Sequence, residues 1–200
     1  MSLAALMGFG ILLGAAFGVR TLAHRRRTGE AAFRSPPNRA AWVGDGLFTL
    51  GVAAVMVGPI LELADVVEPL DGLAWFPVQV SGAVLLAVGA GIALLAQAQM
   101  GASWRAGIDV SEHYELVRDG LFRVVRNPFY LGIIVATTGV TLMVPSAVTA
   151  IGWIAVVFGC EIDVRLVEEP HLAATKGGRY REYAAITGRF LPSVGRGLRC

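Results

Sequence analysis

Charge is what this 200-residue chain has least of: Asp, Glu, Lys and Arg make up only 16% of it, against about 25% in ordinary soluble domains. Hydrophobic residues make 55% of the chain and its mean hydropathy is +0.62. That balance excludes a wholly water-solvated surface and points to lipid as the solvent. Lysine is almost missing, since Lys176 is the one lysine among 17 basic residues; the arginine bias suggests a GC-rich genome and says little of mechanism. The two cysteines, Cys160 and Cys200, exclude a disulfide framework. The closing Gly197-Leu198-Arg199-Cys200 is not a prenylation box. Together with His24, His113 and His171, the cysteines show no metal-ligand spacing, so no metal is expected. A nucleophile elbow and a phosphate-cradling glycine loop are also missing.

Long apolar runs are what the chain does have. They cover Leu3 to Val19, Ala41 to Leu63, Val78 to Met100, Phe129 to Val144 and Ala147 to Val167. The fourth run is short, and Pro145-Ser146 turns it into the fifth as a helical hairpin. Positive charge follows the first run rather than preceding it, which argues for an uncleaved helix over a signal peptide. Gly10, Gly14 and Gly18 form a small-residue face on that helix, read mainly as intramolecular packing, with a dimer seam as the alternative. Asp45 is either an interfacial charge or a helix cap.

Every basic residue falls on one side of these runs. Six lie between Arg20 and Arg39, four are Arg105, Arg118, Arg123 and Arg126, and seven follow from Arg165 to Arg199. The positive-inside rule then orients the chain without conflict, N-terminus out and C-terminus in. The expected fold is all-α, a polytopic membrane protein with five transmembrane helices and a single integral membrane domain over residues 1–200. The same distribution leaves no basic patch for nucleic acid.

Polar chemistry collects at the inner face. At 100° per residue Glu161, Arg165, Glu168 and Glu169 share one stripe, with Asp163 nearly opposite. Such ionisable groups near a span either wall a site or form a salt-bridged, snorkelling helix end. Pro128 fits the first helical position, with Asn127 near the cap; free N–H groups there favour an anion or carboxylate. Asp109 and Glu112 resemble a capping box. Gly177-Gly178 reads as a turn.

The string Leu116-Val117-x-x-Gly120-x-Phe122-Arg123-x-x-Arg126-Asn127-Pro128-x-Tyr130 resembles the signature of the isoprenylcysteine carboxyl methyltransferase and phospholipid methyltransferase superfamily. An apolar hairpin, Glu168-Glu169, Tyr180-x-x-Tyr183 and Arg189-Phe190-x-Pro192 follow in the order and spacing of that family. The likeness runs from about Ser103 to Pro192. It implies an integral membrane enzyme using S-adenosylmethionine, with three N-terminal helices over 1–100 and the catalytic core over 101–200. The cofactor pocket would face the cytoplasm, formed by the last two helices, the loop before them and the C-terminal tail. A lipophilic substrate would enter from the bilayer, and carboxylate O-methylation and lipid-amine N-methylation both stay open.

By the same resemblance Leu116 and Val117 line the adenosyl pocket, Phe122 stands for the common tyrosine, Asn127 replaces the usual histidine, and Pro128 and Tyr130 keep their places. Glu169, beside Glu168, would bind the cofactor's amino or ribose groups, and Arg165 would orient a substrate carboxylate. Arg105 is a second such cation. For an amine or hydroxyl nucleophile, Glu168 or His113 would accept the proton. Asn127 cannot titrate as histidine does. Two alternatives stand beside the methyltransferase: an NADPH-dependent reductase on a related scaffold, and a non-catalytic membrane protein retaining the fold.

Overall fold

The computed structural model describes residues 1–19, 21–22, 25–26, 36–70, 72–101 and 116–197. The readings that fall on Arg105, His24, His113, Cys200 and the Asp109–Glu112 capping box lie outside these residues.

The described residues fold as helices, with no strand among them and one isolated parallel bridge between Val125 and Gly188. Helix α1 is Ser2–Leu13, running on as a wider π-helical segment over Gly14–Val19; α2 is Arg39–Leu63 and α3 is Phe76–Met100. A 3₁₀ turn, Gly120–Arg123, precedes α4, Pro128–Met143. Helix α5, Ala147–Ile162, passes through a π-helical turn at Asp163–Glu168 into α6, Glu169–Lys176. Gly177, at φ +57°, then turns the chain into α7, Gly178–Ile186.

Four stretches are long and apolar enough to cross a membrane: Ser2–Val19, Arg39–Leu63, Phe76–Met100 and Ala147–Lys176. Helix α4 has 16 residues, about 24 Å of helix against a hydrocarbon core of about 30 Å. The caps follow local chemistry. Asn38, not Asp45, caps α2, its Oδ1 accepting from the Ala41 N–H at 2.9 Å. Ser146 and Thr149 form a capping box at the start of α5.

Two antiparallel helix pairs make the body, and glycines at intervals of seven hold them together. On α2, Gly44, Gly51 and Gly58 face α5, where Gly152 and Gly159 face back; a Cβ on Gly51 would sit 2.6 Å from the Gly152 carbonyl oxygen. On α3, Gly82 and Gly89 meet Gly139 and Gly132 of α4, and a Cβ on Gly89 would lie 2.3 Å from the Ala136 backbone nitrogen. In lipid there is no hydrophobic force between helices, so close backbone approach supplies the van der Waals contact. A seven-residue repeat keeps that contact along the whole seam. Helix α1 packs across both pairs through buried Ala5, Phe9, Leu12 and Ala16. Its own glycines behave differently from expectation. Among the described residues Gly14 and Gly18 meet nothing within 4 Å and Gly10 approaches only the end of Met56, because the helix packs through the face that carries Ala5, Phe9, Leu12 and Ala16 instead.

The two ends of the bundle are chemically distinct. One end joins the Ser2 hydroxyl to Glu62 Oε1 at 2.6 Å and the Leu70 N–H to the Pro145 carbonyl at 2.6 Å. The opposite end gathers the end of α3, the start of α4, the extension of α5 and the tail, and the candidate site is there.

Candidate active site

The 116–127 segment reaches α4 through a tight local device. Gly120 takes φ +61°, and a Cβ there would strike the Gln99 amide, 2.4 Å from its nitrogen. Only glycine satisfies both demands. The same Gln99 accepts from the Leu121 N–H through Oε1 at 2.8 Å, fastening the turn to the end of α3. Beside it opens a cleft of about 620 Å³ lined by Gln99, Leu116, Val117, Arg118, Asp119, Gly120 and Arg179. Leu116 also packs against Tyr180, Tyr183 and Ala184 of α7.

Pro128 occupies the first turn of α4, as expected, and Asn127 stands at the N-cap. Its side chain does not cap the helix. Instead its backbone N–H and its Nδ2 both donate to the Arg189 carbonyl, at 3.1 and 3.2 Å. The neighbouring Arg126 N–H donates to the Gly188 carbonyl at 2.8 Å. The tail is thereby paired, backbone to backbone, with the start of α4. The Tyr183 hydroxyl adds a 2.5 Å bond to the Phe122 carbonyl, and Phe122 itself is buried.

Glu169 is the electrostatic centre. It is 3% exposed and receives two arginines. Arg126 donates to Oε1 from Nε at 3.1 Å and from an Nη at 2.7 Å. Arg189 donates from Nε to Oε1 at 2.9 Å and from an Nη to Oε2 at 2.6 Å. Hydrogen bonding to Glu169 holds the Arg189 guanidinium above its ordinary value. Glu168 points to α4, where the Tyr130 hydroxyl donates to its Oε1 at 2.8 Å. The start of α4 and the acidic pair therefore meet, one through Arg126 and Glu169, the other through Tyr130 and Glu168.

Arg165 is not brought to this cluster. It is exposed and pairs with Glu161, one α-helical turn earlier. The physical reason is the π turn at Asp163–Glu168. A wider turn shifts the angular phase, so residues four apart across it no longer stack as they do in an α-helix. The expected single stripe thus splits: Glu161 and Arg165 stay outside while Glu169 turns in. Asp163 is buried against Gly44 of α2, on the far side as expected.

Arg126 lies inside the motif but is not among the site residues expected from the sequence. Its one available signal is position: an arginine immediately before an N-cap and a proline is held against the helix start. Which carboxylate it meets depends on the π turn, which no residue pattern in the chain announces.

Comparison with known proteins bears on this geometry. The phospholipid methyltransferase family model matches residues 78–177, half of the chain. Protein-S-isoprenylcysteine O-methyltransferase B of Arabidopsis thaliana is 30% identical over 83 residues, 42% of this chain and 42% of that protein. Protein-S-isoprenylcysteine O-methyltransferase A of the same plant is 29% identical over 152 residues, 74% of this chain and 77% of its own length. The chain thus spans less than half of the first relative and about three quarters of the second. An all-helical protein with several membrane-crossing helices and a methyltransferase core is the class these findings define. The chain belongs to the phospholipid methyltransferase family.

Proposed function

We propose that this protein methylates a lipophilic substrate with S-adenosylmethionine, in a site between the cleft at Leu116–Val117 and the acidic pair Glu168–Glu169. The observation that carries the reading is the meeting of the Asn127–Tyr130 segment with that pair, through the Tyr130–Glu168 and Arg126–Glu169 bonds.

The residues suit such a donor. A cleft of about 620 Å³ falls within the range of about 300–1,000 Å³ usual for small-molecule sites. Leu116 and Val117 offer apolar contact for an adenine ring, and Gln99 and Asp119 offer polar groups for its edge or ribose. Glu169 would meet the amino or ribose groups, and Asn127, Pro128, Phe122 and Tyr130 would shape the wall. When bound, S-adenosylmethionine supplies a methyl group on a sulfonium. Transfer from it is an in-line displacement, helped by orientation and by exclusion of water. Glu168, kept in place by the Tyr130 hydroxyl, is the group that would accept a proton from an amine or hydroxyl nucleophile. A carboxylate nucleophile needs no base. It needs a cation, for which Arg165, which faces outward, and Arg105 are the candidates.

In the membrane we infer five crossings, N-terminus out and C-terminus in, with the site at the cytoplasmic face of a bacterial inner membrane. The support is the segregation of basic residues to one end. Helix α4 belongs with the four long helices because it runs from the site to the opposite end, where the Gln79 amide donates to the Met143 carbonyl at 3.2 Å.

Calorimetric titration of the purified protein with S-adenosylhomocysteine tests the donor. Binding is expected, lost at least tenfold in Glu169→Gln. A folded sample that binds none overturns the proposal. Methylation of a lipid extract with labelled donor, read by mass spectrometry, then identifies the acceptor atom.

A further inference from the structure

Arg126 has five guanidinium N–H donors, and the structure employs all of them. Nε and one Nη donate to Glu169. That same Nη also donates to the Gly195 carbonyl at 3.0 Å, and the other Nη to the carbonyls of Ala184 at 3.0 Å and Thr187 at 2.5 Å. The side chain is 2% exposed. No donor is left for a ligand. Arg189 differs: its guanidinium is committed to Glu169 by two bonds, sits nearer the surface at 13% exposure, and rides on the tail loop.

A planar fork with every donor engaged fixes the carboxylate it holds in distance and in plane. The three carbonyls come from α7 and the tail, while Glu169 opens α6. One side chain therefore ties the acidic end of the last span to the segment folded over it. Oε1 of Glu169 already takes three donors and Oε2 takes one, so Oε2 is the oxygen with capacity left for an incoming amino or hydroxyl group.

We propose that Arg126 is a positioning residue for donor binding: it aims Glu169 Oε2 at the site and anchors the tail around it, without touching the donor. The proposal rests on the reading of Glu169 as a donor-binding residue. Lysine in its place keeps the charge and gives up the fork.

The test is a thermodynamic cycle on the full-length protein in nanodiscs, read as affinity for S-adenosylhomocysteine by calorimetry and as apparent KM and kcat with labelled donor and lipid extract. Arg126→Lys is expected to weaken donor affinity about tenfold to 100-fold and raise the donor KM by the same factor, with kcat within about twofold. Arg126→Lys made on the Glu169→Gln background, where the fork has no carboxylate to aim, is expected to add less than about a twofold loss, because both changes remove one function. Arg126→Lys with wild-type affinity overturns the proposal, as does a loss in the double variant equal to the product of the separate losses. An Arg126→Lys protein that cannot be recovered folded counts against it too, since the arginine would then serve the fold alone. If Glu169→Gln binds as tightly as the wild type, the reading of Glu169 fails instead, and the two failures are told apart.

Discussion

At the scale of single residues, the site is a set of polar groups whose partners are nearly all intramolecular. Asn127 illustrates this. Where the family usually has histidine, the amide here straps the tail to α4 by donating to the Arg189 carbonyl. One such bond contributes about 1 kcal/mol, and the backbone N–H to the same carbonyl remains. Asn127→Ala should therefore lower thermal stability modestly and leave donor affinity within a few-fold, as melting curves and calorimetry would show. The tail tyrosines carry a pH dependence. Burial pushes the Tyr180 and Tyr183 phenols above their ordinary value. A folded phenol that stays neutral while the unfolded one ionises near about pH 10 contributes stability fully present below that pH and lost as pH rises beyond it. Melting temperature should thus fall as pH climbs from about 10 to 12, and Tyr183→Phe should lessen that fall. An identical slope in the variant would show that Tyr183 contributes none of it.

At the scale of helices, the glycine seams decide the packing. Gly89 lies against the backbone of α4, whereas Gly91, two residues on, meets nothing. The pair makes a controlled comparison within one helix. Gly89→Val should force the α3–α4 backbones apart and destabilise the protein by about 1–3 kcal/mol or more. Gly91→Ala should be neutral, or stabilising by up to about 1 kcal/mol through helix propensity. Thermal melting of both variants in one detergent checks this, and equal effects would remove the seam argument. The extension of α5 is the other decisive element. Without the π turn at Asp163–Glu168, Arg165 and Glu169 would share a face, and the double-arginine cradle of Glu169 would have no place.

At the scale of the whole molecule, the two ends of the bundle imply a sided protein. With Cys200 changed to Ser, Asp65→Cys at one end should react with a membrane-impermeant maleimide on intact cells. Arg196→Cys at the other should react only after the membranes are opened. The reverse pattern would invert the proposed orientation and put the site outside. The seven-residue spacing and the short α4 act together here, because close pairing with α3 carries a helix of only 16 residues from the site to the opposite end.

The amino-acid order alone determined the number and limits of the apolar runs, the turn at Pro145-Ser146, the helix start at Pro128 and the neighbourhood in which the polar residues gather. These follow from local chemistry: transfer of apolar side chains out of water, a missing N–H, and charge excluded from lipid. It also located the motif residues, since their spacing is linear. Tertiary structure decided which of the acidic residues faces inward, that Arg126 and Arg189 close on Glu169, and that Asn127 serves the tail instead of the helix cap. Those outcomes depend on the phase of one widened turn and on contacts between segments 20 to 62 positions apart, where a partner is chosen by packing and not by proximity along the chain.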